Sequence, residues 1–298
     1  MNDQRLFVSW TMDCEPIGAE VSTGGPESWA LSERAMRGYV RALVDRGHRA
    51  TLFVIPRTAE VQADVLGDLW DAGAELGMHM HPQTTDYGVD AHLGQLSPTR
   101  QRKLLESGCD RIEAALGEPP RAFRPGCFSA SDDTFSILAD LGFTHGSVSL
   151  PGRRLPDYAA KWVDSVPFAH WASATDRLRA GELPFLEMPT AVDLREVAGP
   201  KTEAGDATQL RLERAGIEQW GPGLIRRHLR RQIEEDWWLK SMVVMTHNTR
   251  EYEHREEPAR RALETVADEI ESAADEVGLS VIPATLAEVR AAVKRPAD

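Results

Sequence analysis

Two short stretches hold the side chains best suited to chemistry. In Thr11-Met12-Asp13-Cys14-Glu15, two carboxylates alternate at the end of an apolar run, and in Gly77-Met78-His79-Met80-His81 two imidazoles repeat that spacing. Alternate residues of an extended chain point the same way, so the members of each pair share a face. Two imidazoles with one or two carboxylates suit Zn²⁺ or a similar divalent ion and leave a position open to water. An ion held there would lower the pKa of that water and polarise a substrate carbonyl. The carboxylate not used as a ligand could serve as general base. Arg124 in Phe123-Arg124-Pro125-Gly126 and His247 in Val243-Val244-Met245-Thr246-His247 close two further apolar runs, and His247 suits a general acid. Each piece alone has a plainer explanation: a carboxylate after a strand can cap a helix, and an arginine can pair with a loop acid. Their shared position at four strand ends is what points to a catalytic rim.

The elements that must position these groups follow from the hydrophobic periodicity. Apolar runs at 6–11, 50–55, 75–80, 122–124, 144–150, 185–188 and 241–246 read as strands. Helical spacing fills the intervals. One helix starts at a Ser32 cap, continues through Met36, Tyr39, Val40 and Leu43, and stops at Gly47; another covers 61–72. Ser97-Pro98 opens a long helix closed by Gly117, and Ser131 caps a helix over 132–141. Further helices are expected at 222–236, 257–277 and 285–293, the last preceded by a strand at 280–282. Repeated strand–helix alternation means right-handed βαβ units and a parallel sheet. The expectation is an α/β fold: a single distorted (β/α) barrel of about seven parallel strands with long loops, one domain over 1–298. The stretch 151–238 is irregular, holds five of the eight tryptophans, and reads as long barrel loops.

Composition narrows the function classes. The 298 residues are 42% hydrophobic, and the net charge of −13 argues against a nucleic-acid binder, which needs a basic surface. No basic leader precedes a long apolar run and no stretch could span a bilayer, so a cytoplasmic location is expected. Cys14, Cys109 and Cys127 are widely spaced without a CxxC pair and read as reduced thiols. Cys14 alternates away from Asp13 and so lacks a base on its own face. Arg226, Arg227, His228, Arg230 and Arg231 are followed by Glu234, Glu235 and Asp236, which fits a solvated helix with charge pairs. Trp237-Trp238, and Phe168 with Trp171, fit loop packing better than sugar stacking. His92, His145, His170 and His254 have no supporting neighbours in the sequence.

Taken in order, these motifs resemble the polysaccharide deacetylase family, the NodB-homology carbohydrate esterases, over nearly the whole chain. Thr11-Met12-Asp13-Cys14-Glu15 resembles an Asp-x-Glu variant of its first motif, and Glu75-Leu76-Gly77-Met78-His79 its histidine motif. Phe123-Arg124-Pro125-Gly126 resembles the Arg-Pro motif, and the run ending in His247 the last one. The resemblance implies a divalent metal, Zn²⁺ in the first instance, with Glu15, His79 and His81 as ligands. It implies Asp13 as catalytic base, His247 as general acid and Arg124 as a further catalytic residue. The substrate implied is an acetylated sugar or sugar-linked precursor losing an N- or O-acetyl group. Two departures stand out: the family's histidines lie further apart, whereas here position 83 is Gln83, and the second carboxylate is displaced to Glu15 past Cys14. Two alternatives stay open: a metal-independent cyclic amide hydrolase of the allantoinase-like branch, or a non-catalytic carbohydrate-binding relative.

Overall fold

The computed structural model describes residues 4–21, 24–84, 87–194 and 208–295. Among the described residues, a continuous path of seven parallel strands forms the sheet: β1 (Arg5–Cys14), β2 (Ala50–Val54), β3 (Glu75–Met80), β4 (Ala122–Pro125), β5 (His145–Gly146), β6 (Leu186–Glu187) and β7 (Ser241–His247). Their order in the sheet is β7-β1-β2-β3-β4-β5-β6. The sheet curls so that the chain just past β6 meets β7, where Ala191 N–H donates to Val243 O at 3.0 Å. The result is the expected distorted barrel. A short strand, Ser280–Pro283, runs parallel to the first half of β1, and His170–Trp171 pairs antiparallel with β6.

Strand alternation divides the core in two. On β1 the even residues Leu6, Val8, Trp10, Met12 and Cys14 pack outward under the helices. Phe7 joins Phe53, Ala122, Leu186 and Val243 inside the barrel. Both faces of the strands are therefore buried, which is why they read as near-continuous apolar runs. The outer layer comprises α1 (Trp29–Val44), α2 (Pro56–Val61), α3 (Ala63–Asp71), α4 (Pro98–Leu116), α5 (Thr134–Asp140), α6 (Ile217–Glu234), α7 (Pro258–Glu276) and α8 (Leu286–Ala292). Leu286 and Val289 of α8 join the inner cluster and close its lower end. None of the described helices is long and apolar enough to cross a membrane.

Several expected boundaries move. Ser28 caps α1, not Ser32, which is buried inside the helix with its hydroxyl donating to Gln62 Oε1 at 2.7 Å. The helix expected over 61–72 is α3, and an unexpected helix, α2, precedes it; the two are divided at Gln62, whose side chain holds Ser32 and the Trp29 carbonyl. Asp133 rather than Ser131 precedes α5. Only His145 and Gly146 of 144–150 pair as a strand: past Ser147, whose amide still bonds Phe123 O, the amides of Val148 and Ser149 bond the Glu187 carboxylate instead of a neighbouring strand. α6 starts earlier than residue 222 and accommodates Pro222 within its length. Gly117 closes α4 in the left-handed conformation (φ 86°), as expected for a glycine C-cap.

Candidate active site

Asp13, Glu15, His79, His81, Arg124 and His247 converge at the carboxyl ends of the strands, on the inward face. The register explains it: Asp13 lies opposite His247, and His79 opposite Arg124. Asp13 belongs to β1 itself, which runs past the expected end at Thr11. Phe53 lies between, with the Arg124 guanidinium 4.4 Å above its ring.

Asp13 sits at the centre. Its Oδ1 accepts from Arg124 Nη1 at 2.7 Å, while Oδ2 faces His79 Nε2 at 3.8 Å and His247 Nε2 at 3.9 Å. Burial opposes its charge, but Arg124, His79 and His247 outweigh that and hold its carboxyl below the ordinary value. Arg124 is wholly buried, donates through Nε to Ser147 O at 3.3 Å, and keeps Nη2 without a partner. Arg124 therefore pairs with the candidate base itself and not with a loop acid.

Glu15, His79 and His81 form the second half. Glu15 Oε1 lies 3.3 Å from His79 Nε2 and 3.1 Å from His81 Nε2. Donor atoms of all three residues fit within 4.8 Å of one another, and all three are buried. Burial disfavours the Glu15 charge, yet His81 and His79 hold its carboxyl well below the ordinary carboxylate range. The His79 imidazole shows the complement: burial pushes its pKa down, and Asp13 and Glu15 raise it above the ordinary value. His79 Nδ1 is 2.8 Å from Arg124 O, which turns Nε2 inward. Glu15 Oε2 and His81 Nδ1 have no partner, so this donor set has capacity left for a cation. A metal fits these residues: two nitrogens and a carboxylate are a common zinc donor set.

Three supports carried no sequence signal. Asn248 clamps the backbone of Glu15, with Oδ1 accepting from Glu15 N at 3.0 Å and Nδ2 donating to Glu15 O at 2.9 Å. Glu213 Oε1 lies 2.7 Å from His247 Nδ1, and its Oε2 accepts from Thr246 Oγ1 at 2.9 Å. Arg211 in turn donates to Glu213 Oε1 at 2.6 Å. Glu187, fully buried, accepts from Ser149 N at 2.8 Å and Ser149 Oγ at 2.7 Å, which fixes the turn whose Ser147 carbonyl holds Arg124.

Gly126 lies flat on His81: a Cβ there would come within 2.3 Å of the imidazole Nδ1 and Cε1. The next two residues, Cys127 and Phe128, hold positive φ (55° and 56°), a strained turn that brings Gly126 against the ring. Burial pushes the Cys127 thiol up to about 11, and burial with Asp13 and Glu15 raises the Cys14 thiol well above its ordinary value, so neither is a poised nucleophile.

Two histidines left unassigned by the sequence find partners elsewhere. His145 pairs with Glu75 (Nε2–Oε1 2.5 Å) at the amino end of the strands, so the Glu-x-Gly lead-in to the histidines serves the far side of the barrel. His92 stacks edge-on with Tyr158 at 4.4 Å. Trp237 is a packing residue: its Nε1 donates to Ala169 O at 2.8 Å and its ring meets Phe168 at 5.3 Å. The arginines of α6 are paired as expected for a solvated helix, Arg226 with Glu269 at 2.7 Å and Arg231 with Glu235 at 2.6 Å.

Residues 25–146 match the family model described as Polysaccharide deacetylase. That span includes His79, His81 and Arg124 but not Asp13, Glu15, Glu213 or His247. No curated protein matches the sequence. Among solved structures, a protein described as a polysaccharide deacetylase from Mycobacterium smegmatis is similar at TM-score 0.59 and 17% identity, covering 98% of this chain and 92% of its own. One so described from Pseudomonas aeruginosa PAO1 is similar at TM-score 0.56 and 13% identity, with 97% and 91% covered. The Puue allantoinase is similar at TM-score 0.54 and 13% identity, with 96% and 89% covered. At such identities the likeness shows the shared barrel.

Proposed function

We propose that this chain, whose residues 25–146 match the polysaccharide deacetylase family model, is a metal-dependent hydrolase that removes an N- or O-acetyl group from a sugar or sugar-linked precursor. The observation that carries the reading is the placement of Asp13 between Arg124 and His247, beside the convergent Glu15, His79 and His81. Glu15, His79 and His81 would hold a divalent ion, which we read as Zn²⁺ from the two-nitrogen, one-carboxylate set. When bound, it supplies Lewis acidity to the acetyl carbonyl and to the attacking water.

The remaining chemistry belongs to the protein. Asp13 is the base: Arg124 fixes Oδ1, keeps the carboxyl charged, and leaves Oδ2 to take a proton from water. His247 is the acid. Glu213 at Nδ1 orients the ring so that Nε2 faces the reacting centre, where it hands a proton to the departing amine or alcohol. The whole chain would act as one catalytic domain. We also place the protein in a reducing, cytoplasmic setting, a reading supported by its free thiols.

The test is acetate release from a panel of acetamido and O-acetylated sugars, before and after chelation and with metal restored. Activity should disappear on chelation and return with Zn²⁺. Asp13→Asn should lower turnover by about 10²–10⁴-fold while the circular dichroism spectrum is unchanged; undiminished turnover refutes the assignment of the base. Hydrolysis of a cyclic amide that survives chelation would favour the allantoinase-like alternative, and sugar binding without acetate release the non-catalytic one.

A further inference from the structure

A cavity of about 450 Å³ lies beside Glu213 along the starts of α6 and α7, but a larger one, of about 730 Å³, opens at the amino end of the strands. It lies between α3 and α4, where β3 begins at Glu75 and β5 at His145, and is within the size range of small-molecule sites. Leu76, Ile112, Ala115, Leu116, Pro119 and Pro120 give it an apolar wall. Trp70 lines it and stays half exposed.

The charges around this apolar wall are mostly acidic, five carboxylates against Arg121. The C-terminal ends of α3 and α4 both reach it, and neither helix has a basic residue in its last turn. Helix C-termini carry partial negative charge that cations relieve. Here the side chains add to it instead: Asp71 ends α3, and Glu118 follows α4 just past its cap. Asp64, Asp71 and Glu118 have no ion-pair partner among the described residues. The other acids are occupied, Asp68 by Arg37 at 2.8 Å and Glu75 by His145 at 2.5 Å. Arg121, the one arginine of the lining, donates to the Gly142 carbonyl at 3.0 Å.

We propose that this cavity binds an organic cation with an apolar body, a hydrophobic amine. Its hydrocarbon part would lie along Ile112 and Leu116, and its ammonium would sit between Asp71 and Glu118, within reach of the Trp70 ring face. An anion would meet two helix C-termini and two carboxylates. A neutral molecule of the same shape would leave those charges uncompensated.

The test uses three probes that differ only at the head group: phenylbutylamine, phenylbutanol and phenylbutyrate, titrated calorimetrically into the full-length protein. The amine should bind with a sub-millimolar Kd, and the alcohol and the acid at least about tenfold more weakly. The double variant Asp71→Asn, Glu118→Gln should weaken amine binding about fivefold or more. Ala115→Trp, which fills the cavity, should abolish it. Should that variant fail to fold, the double variant, at polar positions on the cavity rim, decides. Absence of amine binding at millimolar concentration, an alcohol or acid that binds as well as the amine, or a double variant indistinguishable from wild type would each overturn the proposal.

Discussion

Asp13 and His247 are ordinary side chains made specific by what holds them, and the holders are where single substitutions should speak most clearly. His247 has one nitrogen facing Asp13 and the other on Glu213. Glu213→Gln keeps the shape but replaces the carboxylate that orients the imidazole. Turnover should fall by about 10²-fold or more with KM little changed, as expected when an orienting carboxylate is lost; a raised KM with kcat unchanged would instead mean a role in substrate binding. Gly126→Ala tests the other histidine. Its methyl would occupy the place of the His81 ring, so metal content and activity should drop together, with a stability loss of about 1–3 kcal/mol by thermal melting. An alanine variant that keeps full metal content would show that the ring can move without consequence. The six principal residues were legible because alternation and strand-end position are local properties. Glu213 and Asn248 were not, since the first reaches His247 from an irregular segment and the second bonds a backbone 233 residues away. Nothing in the local pattern marks such a partner.

Elements were legible where an apolar run is buried on both faces, as in β1, β2, β3 and β7, and where a glycine cap such as Gly117 stops a helix. They were less legible where a side chain replaces a backbone partner. Gln62 divides α2 from α3 by bonding Ser32, and Glu187 ends β5 by taking the amides of Val148 and Ser149. The second substitution of partners has a consequence for pH. Burial raises the Glu187 carboxyl to about 7, despite the donors from Ser149 and Val148 and the nearby Arg124. Unfolded, the same group titrates near its ordinary value of 4.5. Between the two values the folded state holds a proton that the unfolded state has released, so the contribution of this site to stability falls as pH rises from 4.5 to about 7 and is level above it. Glu187→Gln cannot titrate. Denaturant titrations across that window should therefore show wild type losing stability relative to the variant as pH increases; a difference that stays constant, or changes the other way, would mean that Glu187 is charged in the fold.

At the scale of the molecule, one barrel sets two ends apart, with the candidate site at the carboxyl ends of its strands and the cavity proposed for an amine at the other. The seven parallel strands were legible as alternation, but their closure through Ala191 and Val243 was not, because it rests on irregular chain rather than on a strand. His79 and His81 come from the end of β3 and the residue just past it, and Glu15 from the chain just after β1, so the donor set exists only when the sheet has formed. Binding to the folded state alone must then stabilise the whole barrel by mass action. At a free Zn²⁺ concentration about 100-fold above Kd the gain is about 2.7 kcal/mol, which for a chain of this size is a rise in Tm of about 4 °C. Chelation should reverse it, and a double variant His79→Ala, His81→Ala should show no metal-dependent rise. Because this measurement needs no substrate, it separates the metal from the reaction. A rise without acetate release would keep the donor set and discard the substrate, whereas an unmoved Tm across the full Zn²⁺ range would leave Glu15 as a partner of two histidines and shift the chemistry onto Asp13, Arg124 and His247 alone.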